Sequence, residues 1–265
     1  MNEHLSASQI KLFKACRRAY QLKYVYNIVP AETAEALQTG KSYHQKLEQL
    51  YTDGDFDASD FSKESAMATA YKKYIYPKFS VKAVERWVES APTLDGGGIP
   101  LVGRIDAIAE DGRLVEHKTT SLDPTEYEYN LQWDDQILAY MALTMQRSMY
   151  YTICRKPTIR QKKGESDEEF YARMIEWYDD DADSKIRLVL VERTDQDVDE
   201  FIRSFKNIRD DILMAKRYND FYRNSCHCNA WGRRCEYSSI CMHYDPNQEY
   251  IGFVRREQDA GTVGC

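Results

Sequence analysis

Three side chains that could do chemistry together lie within "VGRIDAIAEDGRLVEHKTT", residues 102–120: Asp106, Glu116 and Lys118. The stretch reads as two β-strands around the turn Glu110-Asp111-Gly112. Strand residues two apart share a face, so Glu116 and Lys118 point the same way and His117 points oppositely. A three-residue loop with Gly112 in the left-handed conformation is a favoured hairpin form, and it sets Asp106 across from Glu116. A two-residue loop would put Asp106 opposite His117, on the wrong side of the sheet. Two converging carboxylates make an oxygen-rich site for a hard divalent cation such as Mg²⁺ or Mn²⁺. The His117 carbonyl, between the two functional side chains, offers a further oxygen. Lys118 beside them suits holding a phosphate or helping to deprotonate a water. The chemistry this fits is metal-assisted attack of water on a phosphodiester. The competing reading is an edge hairpin carrying a solvent-facing Glu116–Lys118 salt bridge.

The sulfur chemistry is concentrated elsewhere. Seven cysteines stand at 16, 154, 226, 228, 235, 241 and 265, four of them within "CHCNAWGRRCEYSSIC". The opening "MNEHLSASQ" shows no basic region followed by an apolar run, so a cytoplasmic chain is expected and metal or cluster ligation ranks above disulfides. Zinc on Cys226, Cys228, Cys235 and Cys241, with His227 or His243 nearby, is compatible with the spacing but leaves Cys16 unemployed. Free thiols are the third possibility. Cys154 reads as a buried strand residue and Cys265 as a tail thiol.

These residues must be positioned by elements the sequence also indicates. A helix capped by Ser6 or Ser8 fits roughly 7–24, a second fits 33–51, and a third fits 61–75 before Pro77. "SVKAVERWVES" (80–90) has β-character and is followed by the glycine loop at 96–98. The hairpin comes next, then a helix over about 125–146. "MYYTICR" and "KIRLVLVERT" read as strands, and a helix fits 195–218. Residues 156–184 between those strands are polar, with a short helical pattern, and read as a surface insertion. The order predicts an α/β (α+β) domain with a central mixed sheet flanked by helices. At 43% hydrophobic and 30% charged, the 265-residue chain is ordinary for a globular protein. No apolar run approaches the ~20 residues of a membrane span. The formal charge of −7 argues against broad coating of nucleic acid, while phosphate binding depends on local charge. "KLFKACRRAYQLK" and "CRKPTIRQKK" are local basic stretches, each read alone as a solvated face.

Asp106 followed by Glu116-His117-Lys118 resembles the signature of the PD-(D/E)xK nuclease superfamily. "TGKSYHQKLEQLY" (39–51) resembles the glycine…histidine helix of its RecB-like branch, which implies His44 as a metal ligand. "QWDDQILAYM" (132–141) resembles that branch's glutamine–x3–tyrosine helix and implies Gln136 and Tyr140, which share a helix face at i and i+4. Outside this resemblance, His44 would read as a surface or packing histidine and Tyr140 as a core aromatic. Cys16 together with the C-terminal cysteines resembles the iron–sulfur members, among them AddB-type recombination nucleases and the small exonucleases of CRISPR adaptation. The resemblance implies a 4Fe–4S cluster on Cys16, Cys228, Cys235 and Cys241, with Cys226 as the substitute for Cys228. The short C-x2-C step of that pattern is absent, and Arg17 follows Cys16 where proline is common.

What the resemblance implies is one restriction-endonuclease-like nuclease domain over 1–250, its ends tied by the cluster, and a tail over 251–265. Asp106, Glu116, His44 and the His117 carbonyl would hold Mg²⁺ or Mn²⁺. Lys118 would stabilise developing charge, and Gln136 and Tyr140 would orient water or DNA. The implied activity is a metal-dependent deoxyribonuclease, an exonuclease on ends or single strands, in recombination, repair or CRISPR adaptation, with DNA and other recombination or CRISPR-adaptation proteins as partners and no membrane. The alternative is a non-catalytic DNA-end-binding subunit that keeps the fold and the cluster.

Overall fold

The computed structural model describes residues 4–32, 34–90, 98–232 and 234–256, apart from the side chains of Ala36 and Trp231. Gly96, Gly97 and Cys265 lie outside the described residues. In chain order the strands are β1 (Leu5–Ser6), β2 (Ile28–Pro30), β3 (Val81–Glu89), β4 (Leu101–Ala109), β5 (Leu114–Thr120), β6 (Ser148–Arg155), β7 (Ile186–Glu192) and β8 (Phe253–Arg255). The α-helices are α1 (Ala7–Ala15), α2 (Arg17–Tyr20), α3 (Glu35–Asp53), α4 (Lys63–Tyr74), α5 (Pro124–Asn130), α6 (Asp135–Thr144), α7 (Asp167–Asp180) and α8 (Asp195–Tyr218). None is long and apolar enough to cross a membrane, among the described residues.

The chain packs as two compact units. One comprises Met1–Ala34, Glu89–Gly103 and Asp199–Cys265; the other comprises Glu35–Val88 and Arg104–Val198.

The second unit carries a mixed sheet in the order β3-β4-β5-β6-β7. β4 and β5 are antiparallel, β5 and β6 parallel, and β6 and β7 antiparallel. The parallel step follows from what joins it: α5 and α6 make a helical crossover between β5 and β6. Neighbouring residues of one strand face opposite ways, so His117 and its partner Thr152 meet α3 and α4 through Tyr51 and Tyr71. Glu116 and Tyr151 face α5 and α6 through Tyr127 and Gln136. Helices therefore cover both faces, as the order of elements predicts.

Two helical stretches of this unit differ from expectation. The helix expected over 125–146 is broken, because Asp134 is extended (φ −81°, ψ 105°) and its side chain accepts from the Gln136 N–H, restarting the helix as α6. The 156–184 segment is not simply a surface insertion. Its α7 buries Phe170, Met174 and Tyr178, and Tyr178 joins the core of Tyr43, Leu47, Met67 and Tyr71. The sequence reading missed this because the i, i+4, i+8 apolar stripe is diluted by six acidic residues across α7.

In the first unit, Ser6 caps α1 in a reciprocal capping box with Gln9. The helix expected over 7–24 breaks at Cys16, whose backbone is extended (φ −161°). It resumes as α2 and ends in a π-turn over Gln21–Val25. The freed Ala15 carbonyl accepts from Asn224 Nδ2 at 2.8 Å. β1 pairs in parallel with Leu101 and Val102. Residues 251–265, expected to be a loose tail, begin with β8, which pairs antiparallel with β2; 257–265 lie outside the described residues.

Candidate active site

The hairpin turns through Glu110-Asp111-Gly112, with Gly112 at φ +88° and its N–H bonded to Ala109 O at 2.9 Å. Ala109 and Arg113 close the loop, and Ala107 pairs with Val115. Continued by one residue, that register sets Asp106 opposite Glu116. This is a non-hydrogen-bonded position, where side chains of an antiparallel pair stand closest. Asp106 then departs from the ladder: its Oδ2 accepts from the His117 backbone N–H at 2.8 Å. The backbone of residue 117 thus enters the site through its N–H.

His44, Lys118 and Gln136 reach the same two carboxylates, and Tyr140 joins them through Gln136. His44 Nδ1, from α3, lies 3.3 Å from Asp106 Oδ1. Lys118 Nζ donates to Glu116 Oε1. Gln136 Nε2 donates to the same oxygen at 2.9 Å and to the Tyr140 hydroxyl at 2.8 Å. The Tyr140 hydroxyl in turn donates to Arg104 O on β4 at 2.5 Å. Glutamine and tyrosine, one helical turn apart, bridge α6 to both strands of the hairpin.

The electrostatics are those of an acid pair in a buried setting. Burial works against ionising Asp106, yet His44 by charge and hydrogen bond, with His117 and Lys118, holds its carboxyl well below the usual range. Glu116 is only 2% exposed. Burial first and the Asp106 charge second push it up to about 7, against the pull of Lys118. Burial works to lower Lys118, but the Glu116 and Asp106 charges outweigh it and hold the ammonium well above its ordinary value. His44 is raised: burial opposes its charged form, and Asp106 more than compensates.

Among the described residues, no three histidine, cysteine, aspartate or glutamate side chains are drawn together tightly enough to grip an ion unaided. The donor set around Asp106 nevertheless fits a divalent cation. Glu116 Oε1 is occupied by Lys118 and Gln136, whereas Oε2 is buried with no hydrogen-bond partner among the described residues. An unpartnered buried carboxylate oxygen costs about 1–3 kcal/mol or more, and a hard cation shared with Asp106 would satisfy it.

Behind the carboxylates lies a network that the sequence did not disclose. His117 Nδ1 bonds Thr152 Oγ1 at 2.7 Å, its Nε2 lies 3.3 Å from the Tyr51 hydroxyl, and Tyr51 bonds Tyr71. Burial drives the imidazole down to about 3, leaving it neutral. Thr152 meets His117 through the parallel β5–β6 register, which no local sequence pattern reveals.

At the thiol-rich end, Cys16, Ala19, Leu22, Ile28, Tyr237 and Ile240 form an apolar cluster against which Cys235 and Cys241 pack. The Cys235 N–H donates to Cys228 O at 2.9 Å. Burial raises the Cys235 thiol, and the Cys16 and Cys241 sulfurs add to the effect. Cys226 and Cys228 are exposed, and among the described residues all four candidate ligands are free of disulfides.

Residues 4–242 match the family model of the PD-(D/E)XK nuclease superfamily. No curated protein matches. Among solved structures, a candidate exonuclease from Eubacterium rectale is similar with a TM-score of 0.54 at 15% identity, covering 94% of this chain and 91% of that one. An alkaline exonuclease from Laribacter hongkongensis is a looser likeness, with a TM-score of 0.37 at 14% identity over 82% of this chain and 93% of the other. The first of these shows a shared fold. With the family match spanning nearly the whole chain, and an acid–acid–lysine group on its hairpin, the protein belongs to the PD-(D/E)XK nuclease superfamily.

Proposed function

We propose that the chain is a divalent-metal-dependent deoxyribonuclease, and specifically an exonuclease acting on DNA ends or single strands. The observation that carries this is the unpartnered Glu116 Oε2 beside Asp106, inside a family whose members use divalent metals. Asp106, Glu116 and His44 would hold Mg²⁺ or Mn²⁺, with the His117 carbonyl as a further oxygen. Once bound, the cation supplies charge neutralisation at the scissile phosphate and acidifies a water. Lys118 presents a fixed positive charge where negative charge develops on the phosphate. Gln136 occupies Glu116 Oε1 and so reserves Oε2 for the ion, and Tyr140 fixes Gln136. The exonuclease element draws its support from the like-folded Eubacterium rectale chain. Recombination, repair or CRISPR adaptation is the corresponding setting, in the cytoplasm.

The test is cleavage of linear and circular single-stranded DNA with Mn²⁺. Wild type should degrade the linear form and spare the circle. Glu116→Ala should lose ~10³-fold or more in rate, and Lys118→Ala ~10²-fold. Equal inactivity of all three, with binding to DNA ends retained, would favour the non-catalytic subunit instead.

The cluster belongs to the same proposal. Cys16, Cys235 and Cys241 gather in one apolar cluster, and Cys228 is tied to Cys235 through its backbone, which favours Cys228 over Cys226 as the fourth ligand. Anaerobically purified protein should absorb near ~400 nm, and Cys235→Ser should abolish that band. Colourless protein with one zinc per chain would replace the cluster with the zinc site.

A further inference from the structure

The basic stretch "CRKPTIRQKK" takes no part in the site described so far. In an acidic chain it places Arg155, Lys156, Arg160, Lys162 and Lys163 within nine residues, with no acidic residue among them. It leaves the sheet at a particular place. β5 and β6 are parallel, so their carboxyl ends lie together, and the Lys156 N–H donates to Thr120 O at 2.8 Å. Thr120 is two residues beyond Lys118. Ligands of sheets with parallel strands are received outside the carboxyl ends of those strands.

The loop is also built rather than loose. Arg173 grips Glu165 at 2.7 and 2.8 Å and donates to Arg160 O at 2.7 Å. The Lys162 N–H donates to Glu165 Oε2 at 2.7 Å, and Gln161 Nε2 to Asp167 Oδ1 at 2.9 Å. Ile159 packs against Phe170 and Met174, and Pro157 is buried. The nearest acid in the chain is thus engaged by an arginine of α7, while Arg160, Lys162 and Lys163 remain exposed and outside any ion pair among the described residues.

We infer that Arg160, Lys162 and Lys163, on the loop that leaves β6 after Arg155, form a phosphate-binding arm that holds the DNA backbone beyond the carboxyl ends of β5 and β6. This deepens the nuclease proposal and rests on it for the identity of the polyanion. Each phosphate neutralised on a single strand releases counterion, so log K falls against log[salt] with a slope of about −0.7 per contact.

The experiment uses the full chain in EDTA, a fluorescein-labelled single-stranded 20-mer and anisotropy titrations over a series of KCl concentrations. The combined variant Arg160→Ala, Lys162→Ala, Lys163→Ala should bind about tenfold or more weakly, with a salt slope shallower by about 2, three contacts' worth. The charge-keeping variant Arg160→Lys, Lys162→Arg, Lys163→Arg should stay within about threefold of wild type. Lys78→Ala, Lys82→Ala, Arg86→Ala removes the same charge at exposed positions elsewhere and should also stay within about threefold. The inference is overturned if the loop variant behaves like that control, or if wild type does not bind. Mn²⁺-dependent cleavage decides the nuclease proposal separately: a chain that binds with a steep slope but cuts nothing loses that proposal and keeps its arm.

Discussion

At the scale of single residues, the site rests on which oxygen is occupied and which is left over. Two donors crowd onto Glu116 Oε1 and, among the described residues, none reaches Oε2, so the protein alone holds the carboxylate in one orientation. The sequence made Asp106, Glu116 and Lys118 legible because strand alternation is a period-two signal and Gly112 fixes the turn. His44, Gln136 and Tyr140 were reachable only through resemblance, since their meeting with the hairpin depends on tertiary packing. Thr152 was not reachable at all. It gives a direct prediction. Thr152→Val keeps the shape but leaves His117 Nδ1 buried without its 2.7 Å partner, and this should cost ~1–3 kcal/mol, read as a lower urea midpoint with an unchanged slope.

At the scale of elements, capping residues decide where helices begin and therefore which side chains they present. Asp134 stops one helical run and starts another, which is why a single helix expected over 125–146 becomes two, and why Gln136 stands in the first turn of α6. The apolar periodicity showed that a helix was present; the break depended on the backbone of one aspartate. A similar device anchors α4. Asp60 Oδ1 accepts from the Ser62 N–H at 3.1 Å and from the Ser65 hydroxyl, and Oδ2 pairs with Lys46 at 3.1 Å. Burial opposes ionisation there, but these bonds together lower the carboxyl to about 2. A carboxyl lower in the folded than in the unfolded chain contributes stability above its unfolded value, near 4, and loses it as pH falls toward 2. Asp60→Asn should therefore cost ~1 kcal/mol at neutral pH, a figure reduced because the side chain is half exposed and screened. Thermal melts of variant and wild type should converge between pH 4 and pH 2.

Across the molecule, α7, which lies in the stretch whose sequence reads as a surface insertion, closes part of the core. Tyr178 of α7 lies 3.5 Å from Cys154 Sγ and donates to Arg155 O at 2.5 Å. Burial pushes the Cys154 thiol up to about 12, so almost none is thiolate at neutral pH. Cys226 and Cys228, by contrast, are exposed. Brief iodoacetamide treatment of native protein, followed by peptide mass mapping, should label the C-terminal cysteines when no metal or cluster protects them. Cys154 should be labelled only after unfolding; its modification in the native chain would contradict the burial described. The layered α/β arrangement was legible because strands and helices alternate in recognisable order. The role of residues 156–184 was not, because their apolar positions are outnumbered by charge.

The hydrogen bond from residue 117 to Asp106 is made by the main chain. Nineteen of the twenty amino acids bring that donor with them, whatever they hang from it. Evolution can thus rewrite the side chain at this position, and the aromatic and hydroxyl company it keeps, without withdrawing the contact that steadies the first acid. Among single exchanges at 117, only proline removes the donor outright.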